Sequence, residues 1–170
     1  MRATSCCREG KIRVSSIKDF ADKYQEGTDY FEKLVKSLKP SDLDTKAPGE
    51  WSARQIVHHM ADSEAQSYAR LRRLLAEPEG SVIRGYDEGA WAESKNLGYE
   101  DLDIANSFIV TISVRNASAD LIRRMSDSDL EKFGTHTERG KFSVTDWLKA
   151  YSNHPFDHGA QLERAIKGLA

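Results

Sequence analysis

Apolar residues along this chain fall into four long stretches of helical period. In the first, Ile17, Phe20, Ala21, Tyr24, Phe31, Leu34, Val35 and Leu38 follow the three- and four-residue steps of one helix face, which stops before Pro40. A polar link with Pro40, Pro48 and Gly49 leads to Ser52, an N-cap with Gln55 three residues on as its capping-box partner. The second helix starts there, carries Ile56, Met60, Ser67, Leu71, Leu74 and Leu75 on its face, and ends before Pro78 and Gly80. Residues 78–99 make a long crossover. Its Ile83, Tyr86 and Trp91 predict an ordered, packed connection in spite of Gly80, Gly85, Gly89 and Gly98.

A third helix is expected from about Leu102 to Met125, with Leu102, Ala105, Phe108, Ile109, Ile112, Leu121, Ile122 and Met125 on its stripe. In the connection that follows, Glu138-Arg139-Gly140-Lys141 has the composition of a hairpin turn. Ser143 then caps a fourth helix, with Asp146 in the N3 place and Val144, Trp147, Leu148, Tyr151, Leu162, Ala165, Ile166 and Leu169 on its face. No sustained period-2 run appears. The expected class is all-α, a four-helix bundle with long crossover connections, forming one domain over residues 15–170 after a flexible leader at residues 1–14.

Composition narrows the function. The chain has 170 residues, with 25 Lys and Arg interspersed among 27 Asp and Glu, so no broad basic face is expected and nucleic-acid binding is excluded as a class. No apolar run approaches the ~18 residues of a membrane span. The opening residues are charged and lack the apolar segment of a secretory signal, so a cytoplasmic location is expected. The two cysteines, Cys6 and Cys7, are adjacent and cannot form a C-x-x-C pair; they read as inert thiols on the leader. A domain of this size folds without metal staples, so a bound metal would serve chemistry.

The fourth helix holds His154 and His158, which project from one face a turn apart. Trp147, Tyr151, His154, His158, Leu162 and Ala165 form a single stripe, so both imidazoles lie in an apolar seam, where they need a hydrogen-bond partner or a metal. On the second helix, His59 falls on the inward stripe between Ile56 and Ser63, whereas His58 falls with Arg54, Asp62 and Ala65 as a flanking residue. Three neutral imidazoles with open positions suit a catalytic divalent ion, zinc or nickel. Pro155, between the two histidines, removes the N–H that would bond to Tyr151 and predicts a kink beside the metal. His136 reads as a surface or lid residue.

Asp62, Glu64 and Asp157 are the candidate catalytic carboxylates, placed to orient an imidazole or take a proton. Arg115 interrupts the third helix among apolar neighbours, where it either holds an anionic substrate group or snorkels outward. Tyr86 and Trp91 are candidate walls of a substrate pocket, or plain core.

Three blocks carry a resemblance: Trp51-Ser52-Ala53-Arg54-Gln55-Ile56-Val57-His58-His59-Met60-Ala61-Asp62-Ser63-Glu64, Tyr86-Asp87-Glu88-Gly89-Ala90-Trp91-Ala92-Glu93, and His154-x-x-x-His158-x-x-Gln161. They resemble the signatures of the DinB/YfiT-like superfamily of metalloenzymes over about Ile17 to Leu169, and the second block is similar to the YfiT-like branch. The resemblance implies a four-helix bundle, often a homodimer, with a metal on positions that match His59, His154 and His158. It also implies a metal-dependent reaction of a small-molecule substrate, since relatives include metal-dependent hydrolases, bacillithiol S-transferases and mycothiol-dependent isomerases. Thiol-dependent S-transfer, with a low-molecular-weight thiol as cosubstrate, is the leading expectation and accords with the lack of an obvious general base. Hydrolysis through metal-bound water is one alternative. The other is a non-catalytic metal-binding or interaction bundle.

Overall fold

Cap residues set where the helices begin. The computed structural model describes residues 16–170, so most of the chain but not the leader, with Cys6 and Cys7, lies within the described residues. Helix α1 (Ile17–Ser37) starts at Ser16, α2 (Ala53–Ala76) at Ser52 and α5 (Val144–Ala165) at Ser143, each with a complete capping box. In the last of these the Asp146 carboxylate accepts the Ser143 N–H at 2.9 Å. Such a cap stabilises a helix start by about 1 kcal/mol.

The crossover is ordered, as its aromatic residues predict. It contains strand β1 (Val82–Ile83) and a short helix α3 (Glu88–Glu93), whose first turn is capped by Asp87. Helix α4 (Ala105–Ile122) is followed by a hairpin of β2 (Phe133–His136) and β3 (Gly140–Ser143). Gly140 turns the chain with φ at 73°, a conformation that suits glycine. β1 joins the hairpin to make a sheet of order β1-β2-β3, parallel between β1 and β2, with Val82 opposite Thr135, and antiparallel between β2 and β3. The hairpin falls where the turn composition of residues 138–141 predicts it, whereas the two-residue β1 has no period to read and was invisible in the hydrophobic pattern.

The four long helices make the bundle. α1 packs on α5 and α4, and α2 packs on α4 and α5, so α1 and α2 face each other across a diagonal. α5 runs through Pro155 without interruption, so His154 and His158 project from one helix. The proline is buried against α1, where a Cβ on Gly27 would lie 3.3 Å from Pro155 Cγ. Gly159 is closer still to its neighbour, since a Cβ there would sit 2.3 Å from the Tyr30 ring. These two glycines let α1 and α5 approach closely on the proline side of the bundle.

Two helix ends and one helix face differ from expectation. α4 begins at Ala105, whose N–H is taken by the Asp103 carboxylate at 2.7 Å, and Leu102 lies outside the helix, 54% exposed. Leu169 is likewise past the end of α5 and 54% exposed, after Gly168 breaks the helical conformation at a φ of 65°. The buried face of α4 is Thr111, Arg115, Ser118, Ala119 and Ile122, while Ile109 is 59% exposed. The apolar stripe read for this helix therefore points partly to solvent. Its inward face is polar because of what it meets.

Across the middle of the bundle runs a polar layer between two apolar clusters. One cluster holds Phe20, Tyr24, Leu71, Ile122, Trp147 and Tyr151, and the other Phe31, Ile56, Met60 and Leu162. On every long helix, buried polar residues fall between the two: Thr28 on α1, Ser63, Glu64 and Ser67 on α2, Thr111 and Arg115 on α4, and Ser152 on α5. The histidines lie in this same layer.

Candidate metal centre

α2 and α5 bring His59, His154 and His158 together, with one ring nitrogen of each lying within 4.8 Å of the others. The imidazole centroids of His59 and His158, and of His154 and His158, are 4.6 Å apart. His59 is 1% exposed, and neither of its ring nitrogens has a hydrogen-bond partner. Burial, reinforced by His158 and His154, pushes its pKa down to about 3, so the ring is neutral near pH 7. A buried polar group left unpaired costs about 1–3 kcal/mol. A neutral, buried, unpaired imidazole facing two others is what a metal ligand needs, and the donor set fits a divalent ion.

The other two rings are oriented from behind. His154 Nδ1 lies 3.0 Å from Glu64 Oε1 and donates to it, which leaves Nε2 with its lone pair, 3.3 Å from Ser63 Oγ. His158 Nδ1 donates to Gln161 Oε1 at 2.8 Å in the same way. Burial and then the neighbouring His154 lower the His158 pKa to about 4. Both rings thus keep Nε2 unprotonated and available as a ligand atom.

Glu64 is 1% exposed. Burial works against its charge, but Arg115 and His154 outweigh burial and hold its pKa below the ordinary carboxylate range. Arg115 donates from Nη1 to Glu64 Oε1 at 2.6 Å, from Nε to Thr28 Oγ1 at 2.8 Å, and from Nη2 to the Tyr24 carbonyl at 3.0 Å. Its guanidinium also stacks 3.9 Å over the Tyr24 ring. The expectation that Arg115 either holds substrate or snorkels outward is corrected on both counts. With its side chain fully buried and its donors committed, it ties α4 and α1 to Glu64 and, through Glu64, positions His154.

The remaining sequence candidates lie apart from the cluster. His58 braces α2 against the start of α4, with Nδ1 2.7 Å from Ser107 Oγ and Nε2 3.2 Å from the Leu102 carbonyl. Asp62 accepts the Tyr99 hydroxyl at 2.8 Å, and Asp157 is exposed. Tyr86 and Trp91 pack on each other with centroids 4.5 Å apart. His136 is not a surface residue: it is 5% exposed and lines a cavity of about 110 Å³ with Ser63, Arg70, Glu88, Tyr151 and His154. The crossover reaches that cavity through Glu88, and the Tyr86 ring lies 5.9 Å from the guanidinium of Arg70, another of its walls.

Ser63, Gln161 and Arg70 contact or border the cluster and carried no role in the sequence reading. Gln161 had a usable signal, since it stands three residues after His158 on the same helix face.

The chain belongs to the DinB superfamily, whose family model matches residues 23–162. An Oceanobacillus iheyensis protein, provisionally named a metal-dependent hydrolase, is 31% identical over 160 residues, 94% of this chain and 91% of that one. A Bacillus cereus strain B4264 protein with the same provisional name is 32% identical over 138 residues, 81% of this chain and 78% of its own. Among solved structures, YfiT from Bacillus subtilis, described as a probable metal-dependent hydrolase with an unusual four-helix bundle topology, superposes with a TM-score of 0.80. It shares 26% identity over 95% of this chain and 93% of its own. Among the described residues, no helix is long and apolar enough to cross a membrane.

Proposed function

We propose that this chain is a metal-dependent enzyme that holds a divalent ion on His59, His154 and His158 and uses it in hydrolysis. The observation that carries the reading is His59, whose two ring nitrogens are buried without a partner beside two oriented imidazoles. A divalent ion bound there supplies Lewis acidity, which makes a nucleophile available near neutral pH. Glu64 and Gln161 hold two of the ligands in the right tautomer, and Arg115 holds Glu64. Ser63 and Tyr151 line the cavity that opens on the His154 side, where a substrate group can enter. The hydrolase assignment draws on the names given to the relatives.

Thiol transfer is the second reading, supported by the state of the carboxylates. Glu64 Oε1 is engaged by Arg115 and His154, and Asp62 Oδ2 by Tyr99, so both carboxylates already hold structural partners, although Glu64 Oε2 is buried without one. A thiol, with a pKa near 8.5, makes less demand on a base. No cysteine of the helical domain supplies that thiol, so it would come as a cosubstrate.

Elemental analysis of protein without a histidine tag tests the centre. About one zinc or nickel ion per chain is expected, and none in the His59→Ala, His154→Ala, His158→Ala triple variant. Absence of metal after zinc and nickel are both offered overturns the reading. The loaded protein is then assayed on nitrophenyl esters and, separately, on thiol addition to chlorodinitrobenzene; metal-dependent turnover in the first and not the second selects hydrolysis, and the reverse selects transfer.

A further inference from the structure

The small cavity beside His154 has a second set of walls that the metal centre does not use. Arg70 reaches it from α2, His136, Arg139 and Phe142 from the hairpin, and Tyr151 from α5. Arg70 is pinned at both ends of its fork: Nη1 donates to the Tyr151 hydroxyl at 2.7 Å and Nη2 to the Arg84 carbonyl at 2.7 Å. Its Nε remains buried with no partner. Arg139, in the turn of the hairpin, makes no ion pair or side-chain hydrogen bond among the described residues. After burial itself, both guanidiniums push the His136 pKa down, against a smaller upward effect of Glu138.

The same wall continues outward. Arg139, Phe142 and Ala150 are shared between this cavity and a cleft of about 470 Å³ whose other walls are Lys141, Asp146 and Lys149. Asp146 is occupied as the N3 carboxylate of the α5 cap. Among the described residues that line the inner cavity Glu88 is the one acid, against Arg70 and Arg139. The charged residues on the two hollows are Arg70, Arg139, Lys141 and Lys149 against Glu88 and Asp146, so cations predominate there.

We propose that this cavity is an anion subsite, in which Arg70 and Arg139 hold a carboxylate or phosphate group of an acidic small-molecule substrate while its reacting group faces the histidine cluster. The idea rests on the metal-centre reading for the identity of the reacting side. The volume supports a single group: about 110 Å³ is well below the ~300 Å³ or more of a whole-ligand pocket, and the rest of the substrate lies in the outer cleft. Guanidinium suits the task because its N–H fork matches the planar oxygens of a carboxylate or phosphate. Arg70, with Nη1 and Nη2 each held by one partner and Nε by none, is preorganised and keeps N–H groups for an anion, so little side-chain entropy is lost when the anion arrives.

Calorimetric titration of metal-free protein with succinate, inorganic phosphate and neutral succinamide tests this. Succinate or phosphate binds and succinamide does not, and the stronger of the two anions identifies the oxyanion class. Arg139→Ala weakens that binding about tenfold and Arg139→Glu abolishes it. Arg139 is exposed and unbonded, so both variants fold. Arg70→Lys keeps the charge but loses the fork, and weakens binding less than Arg139→Glu. Equal binding of succinate and succinamide, binding that ignores the Arg139 variants, or anion binding that appears only after metal is added overturns the proposal. Because the titration uses metal-free protein, it can succeed where elemental analysis finds no metal, and it can fail where the metal is present.

Discussion

His59 and Glu64 lie on the same helix, little more than one turn apart, and the fold treats them oppositely. Both are 1% exposed. Glu64 is bonded to Arg115 and His154 and, through Arg115, to Thr28 and the backbone of α1. His59 is bonded to nothing, with the Trp51 ring 4.9 Å to one side and the two other histidines to the other. The first region is held by partners the chain itself supplies, although Glu64 Oε2 stays unpaired, and its polar groups hold the bundle in one arrangement. The second is complete only with something the chain does not contain. A polar layer can thus serve two purposes at once, and the number of partners tells which residue serves which.

The largest expected effect comes from breaking the complete side. Arg115→Ala leaves the Glu64 charge buried and unpaired, and removal of one partner of such a pair costs about 3–5 kcal/mol. Urea unfolding of the metal-free protein measures it. His59→Leu, in the same measurement, is neutral or stabilising by about 1–3 kcal/mol, because an unpaired polar ring is replaced by an apolar group that its surroundings accept. The variant also loses the metal. If His59→Leu destabilises metal-free protein as much as Arg115→Ala does, the two regions are not different in kind.

Acid sharpens the same contrast. His59 and His158 have folded pKa values of about 3 and about 4, below the ordinary 6.5. Between those values and 6.5 the unfolded chain binds more protons, so stability rises with pH and falls on acidification. Each histidine contributes up to about 1.4 kcal/mol per pH unit in that window. Glu64 works in the same direction at lower pH, since a carboxylate with a lowered folded pKa stabilises above its unfolded value and loses that contribution as pH falls through the folded one. Urea midpoints from pH 7 to pH 4.5 are expected to fall less steeply in His59→Leu than in the parent. Parallel curves would mean that His59 is not held neutral by burial.

The comparison also explains what could be read from the sequence. α1, α2 and α5 were legible because their apolar residues face the two clusters and because Ser52 with Gln55, and Ser143 with Asp146, mark the helix starts by local chemistry alone. His59, His154 and His158 were legible for the same reason, since each occupies a place in an apolar stripe. α4 was misread because its inward face meets the polar layer: Thr111, Arg115 and Ser118 are buried there while Ile109 is exposed. Periodicity assumes that inward means apolar, and across that layer it does not. Arg115 could not be placed from sequence, because its partners Glu64, Thr28 and Tyr24 come from two other helices far away along the chain.

A smaller effect separates holding the ligands from being one. Gln161→Leu removes the acceptor behind His158, and the loss of such an outer partner weakens metal binding by about 10- to 100-fold, or about 1.4–2.7 kcal/mol, without abolishing it. Competition with a chelating dye reads the change. An unchanged affinity would show that the Gln161 contact does not fix the His158 tautomer.

The smallest change is at the neighbouring position, and it isolates the helix face. His58 is as buried as a ligand would be, 4% exposed, but its two nitrogens already meet Ser107 and the Leu102 carbonyl. His58→Ala gives up those hydrogen bonds, at about 1 kcal/mol of stability, while the Leu102 carbonyl keeps its second donor, Arg54 Nη1 at 2.9 Å. Metal stoichiometry stays at the parent's value, because the residue one step along the helix, His59, carries the ligand atom. Loss of metal in His58→Ala with retention in His59→Ala would rotate the functional face of α2 by one residue, and the unpaired nitrogens of His59 would then need another explanation.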